Sequence, residues 1–180
     1  MVAKVELTYE DYAKTPDDVR YELIGGELTP MPSPKWLHQL LLTRLLMPLY
    51  VFTHDRGLGE VVPAPMDVVL SDTDVVQPDV IFVSNERAHI ITEDNIRGAP
   101  DLLVEILSPS TSERDRTVKR DLYARHGVRE YWLVDPHAKS VTALMLVENR
   151  FALSGVYGEG QTLTSPTLEG FSLDLSTVFQ

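Results

Sequence analysis

Pro100-Asp101-Leu102-Leu103-Val104-Glu105-Ile106-Leu107-Ser108-Pro109-Ser110-Thr111 decides how this chain is read. The run from Leu102 to Leu107 has the apolar content of a buried strand, broken by one carboxylate, and Ser-Pro-Ser-Thr then ends it and opens a helix. Alternation puts Asp101, Leu103, Glu105 and Leu107 on one face of that strand and Leu102, Val104 and Ile106 on the other. Glu105 therefore stands among apolar neighbours. An ionised carboxylate there costs free energy unless it is hydrogen-bonded, paired or bound to a metal ion, so its partners must come from elsewhere in the chain.

Downstream, Ser110-Thr111-Ser112-Glu113 supplies S-x-x-E and predicts a helix from about Ser112 to His126, which Gly127 stops. Asp115, Lys119, Tyr123 and His126 fall on one side of it, beside a side carrying Val118, Leu122 and Arg125. Glu130 to Pro136 reads as a strand, Ser140 to Val147 and Arg150 to Tyr157 as a hairpin about Glu148-Asn149, and Phe171 to Leu175 alternates. Upstream, Val76 to Val83 is a β-branched run with Pro78 near its start, where a missing amide donor is tolerated. Ser84 to Gly98 is irregular, with room for one helical turn. Strands are predicted at Glu60 to Pro63 and Met66 to Leu70, turning at Ser71 to Asp74. A helix over about Lys35 to Thr53, started at Ser33 or just after, should be largely buried against a sheet and should kink or end near Met47, because Pro48 lacks a donor and clashes with the preceding turn. Gly25-Gly26 turns a hairpin between Arg20–Ile24 and Glu27–Pro30. Thr8 and Asp11 make a capping box for a short helix ending before Pro16.

With 180 residues, 43% of them hydrophobic and 24% charged, the chain has the size and composition for one domain spanning residues 1–180. It has no cysteine, and Met1-Val-Ala-Lys leads into a polar segment with no membrane-length run after it. The expectation is a cytoplasmic protein without a signal peptide or membrane span. A net charge of -11 tells against coating nucleic acid through many phosphate contacts. Arg114, Arg116, Lys119, Arg120 and Arg125 leave two readings open, a locally basic groove or a solvated basic helix face.

Asp79 and Glu105 each belong to an apolar β-run, and 105 minus 79 leaves 26 residues for a connection that brings the second strand back beside the first. Two carboxylates brought together repel unless a cation lies between them, and oxygen ligands of this kind suit Mg²⁺ or Mn²⁺. Asp101 lies about 13 Å along the strand from Glu105 at roughly 3.3 Å per residue, so it anchors the strand end instead. Lys119 has two readings: an ammonium that orients an attacking water or offsets charge on a phosphate, or an ordinary i,i+4 partner of Asp115. Glu22 reads either as a site residue or as a solvent-facing strand glutamate, and His38 as a catalytic group or as a capping or surface residue at the helix start.

Gln77-Pro78-Asp79-Val80, the Ala99 to Thr111 stretch, Lys119 through Leu122-Tyr123-Ala124, and Gly127-Val128-Arg129-Glu130-Tyr131-Trp132-Leu133-Val134-Asp135-Pro136 together resemble the Uma-two family of restriction-endonuclease-like proteins. Tyr21 to Leu28 and Pro32-Ser33-Pro34 with His38 are similar too, so the likeness spans nearly the whole chain. It implies the PD-(D/E)XK superfamily fold, an α/β (α+β) domain with a mixed sheet flanked by helices. It also implies a divalent ion, Mg²⁺ or Mn²⁺, held between Asp79 and Glu105. The superfamily's lysine falls two residues after the Glu, where this chain has Leu107. By the resemblance, Lys119 replaces it from the following helix, and Glu22, His38 and Gln77 are further candidates to line the site. The implied function is metal-dependent hydrolysis of DNA, by a protein that commonly works as a homodimer. The competing expectations are a nuclease-fold module that binds or regulates without turnover, and a subunit whose role is association through Leu46 to Phe52. Ordinary core packing is the plainer account of that last run.

Overall fold

The computed structural model describes residues 6–16 and 18–180. The reading of Met1 to Lys4 as carrying no signal peptide lies outside them. In chain order the described part runs α1 (Tyr9–Tyr12), β1 (Tyr21–Ile24), β2 (Glu27–Pro30), α2 (Trp36–Arg56), β3 (Gly59–Pro63), β4 (Val68–Ser71), β5 (Asp74–Val76) and β6 (Val80–Ser84). A 3₁₀ turn (Asn85–Ile90), β7 (Ile96–Arg97) and β8 (Leu102–Ile106) follow. Next come α3 (Ser112–Arg114), a π-helical turn (Asp115–Lys119), α4 (Arg120–His126), β9 (Glu130–Asp135), β10 (Ser140–Val147), β11 (Arg150–Gly158), β12 (Thr162–Thr164) and β13 (Ser172–Asp174).

The strand opened above is β8, and it lies inside a six-stranded mixed sheet of order β11-β10-β9-β8-β6-β3. It pairs antiparallel with β6 and parallel with β9, the return path being the α3–π–α4 segment. Both faces of β8 are covered, which is why the strand reads as a nearly continuous apolar run. On one face Leu102, Val104 and Ile106 pack with Leu41, Leu45 and Leu49 of α2 and with the C-terminal Phe171, Leu175 and Val178. On the other, Leu103 and Leu107 pack with Leu122 and Tyr123 of α4 and with Val68, Val76 and Ile96. Those last three belong to a second, five-stranded sheet, β2-β1-β5-β4-β7, and a two-stranded β12-β13 ribbon completes the structure.

Asp101 anchors β8 as expected: its Oδ2 accepts the Ser84 N–H at 2.7 Å, and Oδ1 lies 2.9 Å from Arg129 Nη1. The Thr8–Asp11 capping box forms, the Gly25-Gly26 and Glu148-Asn149 hairpins turn where predicted, and Gly127 ends α4 at φ 86°.

Three expectations are corrected. α2 is helical from Trp36 to Arg56 and runs through Pro48. Proline in a helix costs about 3 kcal/mol, but Leu45 and Leu49 are fully buried on either side of it, and each such burial returns about 1.5–3 kcal/mol. Nor is α2 largely buried: only Leu41, Leu45, Leu49 and Thr53 are, one stripe at spacing four, while Trp36, Leu37, Met47, Tyr50 and Val51 are exposed. Its N-cap is Lys35, with no side-chain cap from Ser33. Third, the Val76–Val83 run is two strands in two different sheets. Gln77-Pro78-Asp79 carries the chain from β5 into β6, and Asp79 lies just ahead of the strand on which it was expected. Among the described residues, no helix is long and apolar enough to cross a membrane.

Candidate active site

The register of β6 against β8 sets the site. Val80 lies opposite Val104, which brings Asp79, one residue ahead of β6, beside the Glu105–Ile106 end of β8, where both carboxylates line one cavity. Asp79 is fixed through one oxygen: Oδ2 accepts the Ile106 N–H at 2.7 Å and lies 3.2 Å from His38 Nε2. Glu105 is fixed in the same way, its Oε1 accepting from Lys119 Nζ at 2.9 Å and from the Tyr123 hydroxyl at 2.8 Å. No hydrogen bond from the described residues reaches Asp79 Oδ1 or Glu105 Oε2. Both residues line a cavity of about 500 Å³, along with His38, Gln77, Leu107 and Lys119.

Lys119 closes the π-helical turn and is 1% exposed. Helices widen to π geometry mostly in single turns, often at functional sites; here the turn holds both Asp115 and Lys119 inward. Three carboxylates surround the ammonium: Glu22 Oε1 at 2.7 Å, Glu105 Oε1 at 2.9 Å and Asp115 Oδ1 at 3.6 Å. Glu22 comes from β1 in the other sheet and is completely buried; its Oε1 also accepts the Gln77 N–H at 3.0 Å, and Arg114 Nη2 stands 3.7 Å from Oε2. The Asp115 pairing is thus real but is the longest of the three.

The electrostatics follow from burial with an excess of negative charge. Burial pushes the Glu105 carboxyl well above the ordinary range, opposed by Lys119 and reinforced by Asp115, Asp79 and Glu22. Asp115 is raised for the same first reason. For Lys119, burial favours the neutral amine, but Glu105, Glu22 and Asp115 outweigh it and hold the group above its usual value, as an ammonium. The Tyr123 hydroxyl is raised by burial and by Glu105, and stays a donor.

The structure therefore brings Glu22, Glu105 and Lys119 together, with Asp79 across the strand pair and His38 against Asp79. His38 neither caps the helix nor faces solvent; its side chain is 19% exposed. Gln77 lines the cavity, but its amide is committed, accepting from Arg20 Nε at 2.8 Å and donating to Asp67 Oδ1 at 2.8 Å and the Tyr12 oxygen at 3.1 Å. Leu107 is buried in the core beside Leu103, with no polar role. The basic segment is not a free groove: Lys119 is buried, Arg116 pairs with Asp135 at 2.7 Å and Arg120 with Asp121 at 3.1 Å. Sequence reasoning did not assign Asp115 or Tyr123 to the site, although both share the four-residue spacing of Lys119.

The sequence matches the Uma2 family, described as "Putative restriction endonuclease", over residues 8–176. The chain belongs to the Uma2 family. A solved structure described as "a putative nuclease belonging to DUF820 from Anabaena variabilis ATCC 29413" resembles the Uma2 chain with a TM-score of 0.79 at 19% identity, covering 96% of this chain and 97% of that one. At that identity the likeness establishes the fold alone, a mixed α+β arrangement with two mixed sheets and a few helices. Among curated proteins no relative matches. In the Uma2 chain Asp79, Glu105, Lys119, His38 and Gln77 line the cavity, whereas Glu22, expected to line it, is outside its wall and meets it through Lys119.

Proposed function

We propose that this chain is a divalent-metal-dependent endonuclease hydrolysing phosphodiester bonds of DNA, with Asp79 and Glu105 as ligands of Mg²⁺ or Mn²⁺ and Lys119 as the cation beside them. The observation that carries this reading is the neighbouring pair Asp79 and Glu105, each with one oxygen left over from its protein hydrogen bonds, on the wall of one cavity. Two hard oxygen donors fit an ion that keeps several waters and takes one or two carboxylates from the protein. When bound, that ion supplies charge that polarises the phosphate and makes water a better nucleophile.

In hydrolysis a water oxygen bonds to phosphorus, the bond from phosphorus to the leaving sugar oxygen breaks, and one water proton ends on the departing oxygen. Lys119, held as an ammonium, has no lone pair to take that proton. Its part is to donate hydrogen bonds and offset charge growing on the phosphate oxygens. Glu22 and Asp115 position the ammonium, and His38 and the Ile106 N–H hold the Asp79 carboxylate in one orientation.

The test is cleavage of single-stranded circular DNA, alongside plasmid and linear duplex DNA, with Mg²⁺, Mn²⁺ or EDTA. Cleavage is expected only with a metal and should vanish in Asp79→Asn and Glu105→Gln; undiminished cutting by either variant sinks the assignment. A second reading, a nuclease-fold module without turnover, draws support from one observation: Leu107 is packed into the core at the position two residues after Glu105, where the superfamily's lysine would stand. A rise in Tm with Mn²⁺ supports the enzyme, and a flat response supports the module. We also infer a homodimer, from the exposed Met47, Tyr50 and Val51 of α2; sedimentation returning 20.2 kDa would refute it.

A further inference from the structure

The groups that would do chemistry are recessed. Glu105 and Lys119 are buried, Asp79 keeps only 14% of its side chain exposed, and a phosphate reaches them through the cavity of about 500 Å³. That size falls among small-molecule sites, roughly 300–1,000 Å³. A duplex carries its phosphates on the outside of a rod too wide to enter such a recess. The wall is mixed in character: Arg20 and Lys35 add positive charge, and Pro32, Leu37, Pro65 and Pro109 add apolar surface suited to a sugar or base.

Trp36 opens α2 and lies outside the cavity wall, next in sequence to the wall residues Lys35 and Leu37; it is 81% exposed, more than any other large apolar side chain described. The second tryptophan, Trp132, is fully buried. An indole left in water costs free energy, while a base stacked on it recovers about 1–3 kcal/mol irrespective of base identity. Net charge points the same way: at -11 the chain is poorly suited to tracking two phosphate backbones, whereas stacking needs no net positive charge.

We propose that the recess receives one unpaired nucleotide of a single-stranded or splayed nucleic acid, with its phosphate toward Asp79 and Glu105, and that Trp36 stacks on the adjoining base. The site then prefers unpaired strands to continuous duplex. This inference rests on the nuclease reading and names the substrate class of the same site.

The experiment measures binding of an end-labelled, hydrolysis-resistant phosphorothioate thymidine strand of roughly eight nucleotides by fluorescence anisotropy with Mn²⁺ present, against a blunt phosphorothioate duplex of matched length. Single strand should bind more tightly than duplex. Trp36→Ala should weaken single-strand binding by roughly 5- to 150-fold without lowering Tm, Trp36→Phe should keep most of it, and intrinsic fluorescence should fall on binding because Trp36 is the exposed indole. Equal binding of duplex, or unchanged affinity in Trp36→Ala, overturns the proposal. If duplex is still cut with Mn²⁺ under that outcome, the nuclease reading survives and only the substrate class fails. Single-strand binding through Trp36 with no cleavage in any metal would uphold the inferred binding and remove the hydrolysis.

Discussion

Replacing Lys119 by Met removes an ammonium in contact with Glu22, Glu105 and Asp115, at 2.7, 2.9 and 3.6 Å, and leaves a side chain of similar length among three buried carboxylates. Breaking a buried ion pair from one side costs about 3–5 kcal/mol, because the remaining charge is uncompensated. For a chain of this size each kcal/mol moves Tm by about 2–4 °C, so a fall of roughly 6–20 °C is expected at neutral pH. The sign of the pH dependence follows from the directions of shift. Lys119 is raised in the folded state, so its contribution is complete below its unfolded value of about 10.4 and is lost only as pH climbs through the higher folded value. Glu105 and Asp115 are also raised. The fold therefore binds their protons more tightly than the unfolded chain does, and stability declines as pH rises from about 4 toward the folded values. Removing the ammonium raises both carboxyls further, so the deficit of Lys119→Met should be largest near pH 7 and shrink toward about pH 5. Adding Glu22→Gln to the variant should restore part of the loss. Thermal unfolding of the three proteins across that range decides the matter. A Tm equal to the parent's, or a deficit independent of pH, would refute Lys119 as the charge that holds this site together.

Saturating Mn²⁺ at about 100 times its Kd should stabilise the parent by about 2.7 kcal/mol, and Asp79→Asn or Glu105→Gln should abolish that rise; a retained shift would place the ion elsewhere. Without metal, Glu105→Gln should gain on the parent as pH rises from about 5 to 8, since the parent alone carries the cost of ionising a buried carboxyl. Glu130→Ala should cost about 3 kcal/mol or more in urea unfolding and leave the Mn²⁺ response intact. Its carboxylate accepts from Trp132 Nε1 at 2.6 Å, Ser165 Oγ at 2.6 Å and the Thr167 N–H at 3.1 Å, a clamp on the C-terminal segment. Gly127→Ala should lower Tm by a few degrees, about 1–2 kcal/mol. Its φ of 86° is strained for alanine although nothing lies within 4 Å of the added Cβ.

What the sequence disclosed was local. The alternation of β8, the anchor at Asp101, the Gly127 stop and the two hairpins each depend on a few neighbouring residues, and each is found where the pattern put it. The shared face of Asp115, Lys119 and Tyr123 was readable for the same reason. Glu22 was not resolved from a surface glutamate, because β1 is short and half-buried and its partner Lys119 lies in a different part of the fold. Pro48 misled because a local cost near 3 kcal/mol was read without the burial of Leu45 and Leu49 that offsets it. The split at Gln77-Pro78-Asp79 stayed hidden for a related reason: a β-branched run looks the same whether it serves one sheet or passes between two.

That passage between sheets is also what makes a lysine on the helix workable. A lysine at position 107 would project from β8 on the same face as Glu105, about two strand residues or roughly 7 Å further along, into space that Leu107 now fills with core. Lys119 instead approaches from the helical side, where β1 of the second sheet supplies Glu22 and the π turn supplies Asp115. Its charge is thereby divided among three carboxylates instead of being spent on Glu105. The consequence is a buried group with more negative than positive charge, to which Asp79 adds a fourth carboxylate across the β6–β8 pair. An apolar core tolerates that excess only at a cost, and on the proposed function the cost is relieved when a divalent cation enters between Asp79 and Glu105. Metal affinity and Lys119 are then coupled through Glu105: Lys119→Met should bind Mn²⁺ more tightly than the parent even while it is less stable without it. Weaker Mn²⁺ binding in that variant would break the coupling and leave the lysine as an ordinary structural counter-ion.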